Sequence, residues 1–197
     1  MQHMQASSAL LPLLRSPFQG ELLASLFLNP DREFTATELA ERFGVSQSTA
    51  SREADRFVAA GYITERRSGN LRLLRANPNS VVARPLTDLL AVTYGPIPVL
   101  TELLTGVGAV EAAFIFGSWA ARYRGQAGPV PNDVDVLVVG DADPDRLYDV
   151  EVAAGRRLGR EVNIRRIAAG AWAATSDDPF VLSVRSQPLV ALDIGSR

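Results

Sequence analysis

Cysteine and lysine are both missing from this chain, and histidine occurs once, at His3. Without cysteine there are no disulfides, no thiolate nucleophiles and no Cys-based zinc sites, which suits a reducing compartment. One histidine, in what reads as an N-terminal tail (residues 1–15), excludes a His-dependent triad and a multi-His metal site. All 20 basic residues are therefore arginine, a usage read as base composition rather than mechanism. No run approaches the roughly 20 apolar residues of a membrane span. The opening "ALLPLLRSPF" is broken by Pro12 and lacks the basic leader of a signal peptide. A cytoplasmic protein with no membrane partner is expected.

What is present is enough for packed cores. The 197 residues, 47% of them hydrophobic, suit one medium domain or two small ones. The net charge is only −2, but Ser46 to Arg75 holds six arginines against three acids, so a polyanion contact belongs there.

Residues 16–79 read as helices followed by a hairpin. Ser16-Pro17 starts a helix, since proline at the first helical position loses no hydrogen bond, and Leu22, Leu23, Leu26 and Phe27 recur at helical spacing until Asn29-Pro30. Thr35 and Glu38 have capping-box spacing, and Gly44 ends that short helix. Ser46 caps a third helix that buries Ala50, Ala54, Phe57 and Val58. "YITERR" and "LRLLRA" then flank the turn Ser68-Gly69-Asn70.

The stretch "TATELAERFGVSQSTASREADRFVAAGYITERRSGNLRLLRANP" resembles the winged helix-turn-helix of MarR- and ArsR-type regulators. The resemblance implies a double-stranded DNA partner and a homodimer on a palindromic site. Gln47, Ser48, Thr49, Ser51 and Arg52 occupy the early turns of the third helix, where a recognition helix presents side chains to a major groove. Arg66, Arg67 and Arg72 lie on the wing, where guanidinium groups can pair with phosphates. The plainer alternative is a helix-turn-helix used for dimerisation or protein contact.

Residues 80–96 read as a connecting helix or linker, and residues 97–197 as a small α/β (α+β) domain. Its pattern is a helix from Pro98 to Leu104, then "VEAAFIFGS" as a strand and "SWAARYR" as a helix. "DVDVLVVG" is a strand, "PDRLYDVEVAAGRRLG" a helix, "EVNIRRI" a strand, "AAGAWAAT" helical, and "PLVALDI" a last strand. Asp133 and Asp135 are two apart on a strand and so share a face, while Val134, Val136 and Val138 fill the other. Like charges so close raise each other's pKa unless a cation lies between them, and carboxylates are ligands that Mg²⁺ prefers. Gly117 permits close backbone approach, and Ser118 opens a helix whose free N–H groups and hydroxyl suit a phosphate. The plainer alternative leaves Asp133 as a solvated strand start, with only Asp135 unusual.

Gly117-Ser118, a spacer, then Asp133-Val134-Asp135-Val136 resembles the signature of the DNA polymerase β-like nucleotidyltransferases, the minimal ones above all. That resemblance implies a mixed sheet with flanking helices. It implies an NTP bound through Gly117 and Ser118, and Asp133 and Asp135 as catalytic and Mg²⁺-binding residues. Fourteen residues separate Ser118 from Asp133, longer than the usual spacer, so "YRGQAGPVPN" is read as an extended loop beside the site. The third carboxylate of catalytic members falls at Asn163, and an amide cannot accept the nucleophile's proton. Glu161, on the same strand face, and Asp193 are weaker substitutes. Trp119 and Trp172 are read as core aromatics, and Arg122 and Arg124 as surface groups within reach of a phosphate.

The combined expectation is a transcriptional regulator whose second domain binds Mg–NTP, with transfer of an NMP group left open by Asn163. Two alternatives stay open. One is an active nucleotidyltransferase of toxin–antitoxin type that uses the winged helix for targeting. The other is a regulator with a degenerate, nucleotide-sensing domain.

Overall fold

The computed structural model describes residues 14–172 and 177–195, so His3, most of the N-terminal tail and the end of "AAGAWAAT" lie outside the described residues. The chain divides into two units, one ending at Gly95 and the other starting at Pro96. Among the described residues, no helix is long and apolar enough to cross a membrane.

In the first unit, α1 (Pro17–Phe27) starts on Ser16, whose side chain accepts from the Gln19 amide at 3.3 Å. Leu22, Leu23, Leu26 and Phe27 are buried, as their spacing predicts. The two-residue strand β1 (Phe34–Thr35), for which the sequence carries no signal, leads directly into α2 (Ala36–Phe43). Thr35 Oγ1 accepts from Glu38 N at 3.0 Å, while the Glu38 carboxylate turns to Arg32 at 2.5 Å. Gly44 stops the helix at φ +65, a left-handed conformation that costs other residues a Cβ clash. The third helix, α3 (Gln47–Ala59), follows with Ala50, Ala54 and Phe57 facing the core. β2 (Ile63–Ser68) and β3 (Leu71–Ala76) form the hairpin, with Ser68 opposite Leu71 across Gly69-Asn70. β1 pairs with the other side of β3, so the small sheet runs β1-β3-β2.

Residues 80–96, the expected linker, carry α4 (Ala83–Tyr94). Pro85 does not divide it, because its missing N–H falls in the first turn, where no intrahelical acceptor exists. Leu90 is fully buried in the core of the first unit, with Leu86 and Tyr94 packed against that core. The Tyr94 ring is seated on α1 at Gly20, where a Cβ would lie 2.0 Å from the tyrosine hydroxyl and 2.4 Å from Cζ. That hydroxyl is buried and has no hydrogen-bond partner among the described residues.

The second unit is a mixed four-stranded sheet with strand order β6-β5-β4-β7. Its elements are α5 (Pro96–Thr105), β4 (Val110–Phe116), α6 (Gly117–Tyr123), β5 (Asp133–Gly140), α7 (Pro144–Leu158), β6 (Glu161–Ile167), a 3₁₀ turn (Ala169–Trp172), α8 (Pro179–Arg185) and β7 (Val190–Ala191). β4 runs antiparallel to β5 and β7, whereas β5 and β6, joined through α7, are parallel. Alternation along β5 splits the interior in two. Val134, Val136 and Val138 pack with Leu100 and Leu104 of α5 and Leu147, Val150 and Ala154 of α7. Leu137 and Val139 face Val184, Trp172 and Phe180. The expected helix in "AAGAWAAT" is a 3₁₀ turn as far as it is described, and the last strand shrinks to Val190–Ala191, which pair with Ile115 and Phe114 of β4, while Leu192 N just beyond it donates to the Ala113 carbonyl at 2.9 Å.

Gly20→Ala should destabilise the first unit by about 1–3 kcal/mol, because the new methyl must displace the Tyr94 ring. Tyr94→Phe should be neutral or stabilising, since it removes an unpaired buried hydroxyl. Urea unfolding of both variants checks the pair.

Candidate functional site

The first candidate surface is the start of α3 with the hairpin. Ala50 and Ala54, fully buried, fix the inner side of α3, so Gln47, Ser48 and Arg52 stand exposed and Thr49 and Ser51 half-exposed. The cap organises the first turn. Ser46 Oγ accepts from Thr49 N at 3.1 Å and lies 3.0 Å from Ser48 Oγ and 2.9 Å from Thr49 Oγ1. Arg52 Nε donates to the Ser48 carbonyl at 3.2 Å, which holds the arginine along the helix surface.

Three of the hairpin's four arginines, Arg66, Arg67 and Arg72, are alike in the sequence but differ in the fold. Arg66 makes a two-pronged pair with Glu33, Nε to Oε1 at 2.7 Å and Nη2 to Oε2. That bond holds the Glu33 carboxyl below the usual carboxylate range. Arg72 donates to Asp55 on α3 at 2.6 Å and to Glu65 at 2.5 Å, which ties the wing to the third helix. Arg67 is exposed and bonded to none of the described residues. The acids Glu33, Asp55 and Glu65 were invisible to sequence reasoning as partners; the only hint was a local charge balance more neutral than six arginines suggest.

The second candidate site is the start of β5. Asp133 and Asp135 share the face opposite the three valines, both half-buried. The parallel register sets Asp133 opposite Glu161 and Asp135 opposite Asn163. The Asn163 amide nitrogen donates to Asp135 Oδ1 at 3.3 Å. Gly117, at φ +70, follows β4 directly, and a Cβ there would lie 2.7 Å from Asp135 Oδ2. Only glycine both adopts this backbone and leaves the carboxylate its place. Ser118 is exposed at the second position of α6. Burial pushes the Asp135 pKa up; the Asn163 hydrogen bond opposes this, and Asp133 and Glu161 add to it.

The neighbouring groups are occupied. Arg122 folds back onto the carbonyls of Gln126 and Ala127, and Arg124 donates to the Leu189 carbonyl at 3.0 Å. Arg160 donates to the Pro131 carbonyl at 2.9 Å, and Arg165 lies over the Phe180 ring at 4.3 Å. Glu161 is exposed, and Asp193, beyond β7, accepts from Gly195 N. Trp172 packs on Phe114, and Trp119 stacks on Tyr123.

The Mg²⁺ implied by the sequence can be tested against this donor set. Two carboxylates on one face, one of them with a raised pKa, fit a single hard cation completed by water and phosphate oxygens. Among the described residues no cluster of three or more His, Cys, Asp or Glu is arranged for a metal, so water and phosphate oxygens would have to supply the remaining ligands.

Comparison with known proteins bears on the first surface. Residues 18–70 match the sequence model of the MarR family. This segment is a MarR-family winged helix. The matched span takes in α1, α2, α3, β2 and the hairpin turn, and ends within the first unit. A structure of reduced HlyU from Vibrio cholerae N16961 is similar, with 21% identity and a TM-score of 0.34 over 42% of this chain and 82% of HlyU. The heme sensor protein PefR from Streptococcus agalactiae, in complex with heme, has 19% identity and a TM-score of 0.34 over 46% of this chain and 60% of PefR. No match was found among curated proteins.

The raised Asp135 pKa has a stability consequence with a definite sign. As pH rises, the unfolded chain releases this proton first, so folded molecules bind more protons in the window between the ordinary and the raised pKa, and stability falls through it. The contribution is intact below the ordinary carboxylate pKa and lost above the raised one. Asp135→Asn should therefore raise the melting temperature at neutral pH, with a gain that vanishes as the pH drops below the carboxylate range. Thermal melts across a pH series check this.

Proposed function

We propose that this protein is a cytoplasmic, homodimeric DNA-binding transcriptional regulator whose second domain binds Mg–NTP. The MarR-family match over residues 18–70, with Gln47, Ser48 and Arg52 exposed on α3, carries the DNA-binding part. Helix N-terminal side chains of this kind read base edges in a major groove, and exposed arginines add phosphate contacts. The near-neutral charge implies modest non-specific affinity, so two copies on a palindrome supply the strength.

The nucleotide part is supported by the convergence of Asp133, Asp135 and Gly117 at one end of β5. In this reading Asp133 and Asp135 hold the cation and Ser118 meets the phosphate end. A bound Mg²⁺ would neutralise phosphate charge and orient the NTP. Gly117 keeps the space beside Asp135 free of a side chain, and Asn163 fixes the orientation of the Asp135 carboxylate. Asn163 also favours binding over turnover, because the position in register with Asp135 holds an amide that cannot take a proton from a nucleophile.

Random-site selection with the full chain should recover a palindrome, and Arg52→Ala should weaken binding to it roughly tenfold or more; recovery of no preferred site counts against the regulator. Incubation with Mg²⁺ and each α-labelled NTP should give bound label that Asp133→Ala and Asp135→Ala both abolish. Label transferred to an acceptor would favour the active nucleotidyltransferase instead, and no bound label would remove the nucleotide reading.

A further inference from the structure

The wing arginines differ in what they already hold. Arg67 and Arg72 are cross-strand partners, and Arg72 is kept from its like-charged neighbour by Asp55 and Glu65. With two acids around it and only 28% side-chain exposure, Arg72 is a strut between the wing and α3. Arg66 is different. Thr35, Leu73 and Arg66 are aligned across the three strands, so Glu33, two residues before Thr35, lies on the same outer face as Arg66. Both members of the Glu33–Arg66 pair are accessible to solvent, the arginine side chain at 57%.

We infer that Glu33 acts as an internal substitute for a DNA phosphate, occupying the Arg66 guanidinium fork and withholding one cation from the wing. The inference rests on the DNA-binding reading above. A guanidinium presents the same pair of parallel N–H donors to a carboxylate as to a phosphate, so the two ligands compete for one geometry. An exposed pair contributes little net stability and exchanges readily. Glu33 therefore sets how much of the wing's charge reaches DNA: Arg67 is always available, Arg72 is committed to the fold, and Arg66 is available only when it leaves Glu33.

The test uses the full-length protein and a short random-sequence duplex, with binding followed by fluorescence anisotropy over a range of salt concentrations. Wild type, Glu33→Gln, Arg66→Gln, Arg67→Gln and the Glu33→Gln/Arg66→Gln double variant are compared, after thermal melts establish that each is folded. Glu33→Gln should bind about two- to fivefold more tightly and steepen the log–log salt dependence by about 0.9, one extra phosphate contact. Arg66→Gln alone should bind like wild type, and Arg67→Gln more weakly. The gain from Glu33→Gln should disappear in the double variant. A gain that survives in the double variant would reduce the effect to net charge and overturn the inference. So would unchanged or weaker binding by Glu33→Gln, or a loss in Arg66→Gln as large as in Arg67→Gln. If wild type binds no duplex even at low salt, the DNA-binding reading itself fails and this inference falls with it, an outcome distinct from the others.

Discussion

Side-chain alternation on a strand hydrogen-bonded from both sides is the constraint on which the second unit turns. β5 lies between β4 and β6, so it cannot rotate or slip without breaking two ladders, and every side chain is committed to a face. Along most of its length both faces are apolar: Val136 and Val138 on one, Leu137 and Val139 on the other. At its start the second face carries Asp133 and Asp135 instead. The strand's hydrophobic half thus anchors two carboxylates where water is partly excluded, and Asp135 shows the cost as a raised pKa caused first by burial. Gly117 arrives from β4 against the same carboxylate and Asn163 from β6, so three consecutive strands and turns converge on one oxygen pair.

The winged helix is organised by a different device, short polar caps that decide where helices begin. Ser16, Thr35 and Ser46 each accept from a backbone N–H three residues on, and such caps contribute about 0.5–2 kcal/mol each. They also fix which residues face outward. With Ser46 as the cap, Ala50 and Ala54 turn inward and Gln47, Ser48 and Arg52 outward. The apolar side of α1, α3 and the hairpin then closes over Phe34, Leu39, Ile63 and Leu74. Surface charge is added on top of that core, and much of it is spent in pairs within the domain, as Arg66 with Glu33 and Arg72 with Asp55 and Glu65 illustrate.

The element boundaries around strong local signals were legible: Ser16-Pro17, the Thr35 cap, Gly44, Ser46 and the Gly69-Asn70 turn all stand where their chemistry requires. The register neighbour of Asp135, Asn163, was legible only through the family resemblance, because strand parity alone leaves Glu161 and Asn163 equivalent. Elements that depend on distant partners were not legible. β1 is two residues long and exists only because β3 offers it an edge. The last strand is shorter than its apolar run, since pairing rather than hydrophobicity sets its length. The helix expected only to connect the domains buries Leu90 in the first core, a role that needs α1 and Gly20 beside it.

By itself the sequence determined the helix starts and stops, the shared face of Asp133 and Asp135, and the absence of thiol chemistry, because each follows from bond geometry or residue inventory within a few positions. Only the tertiary structure decided what those groups meet. Arg66, Arg67 and Arg72 have the same chemistry and nearly the same address, yet one is held by Glu33, one is bonded to none of the described residues and one is locked to α3. Asp135 is likewise set by Asn163 and Gly117, residues 28 and 18 positions away along the chain. Long-range pairing of charges and hydrogen bonds depends on which segments the folded core brings together, and no local pattern encodes that.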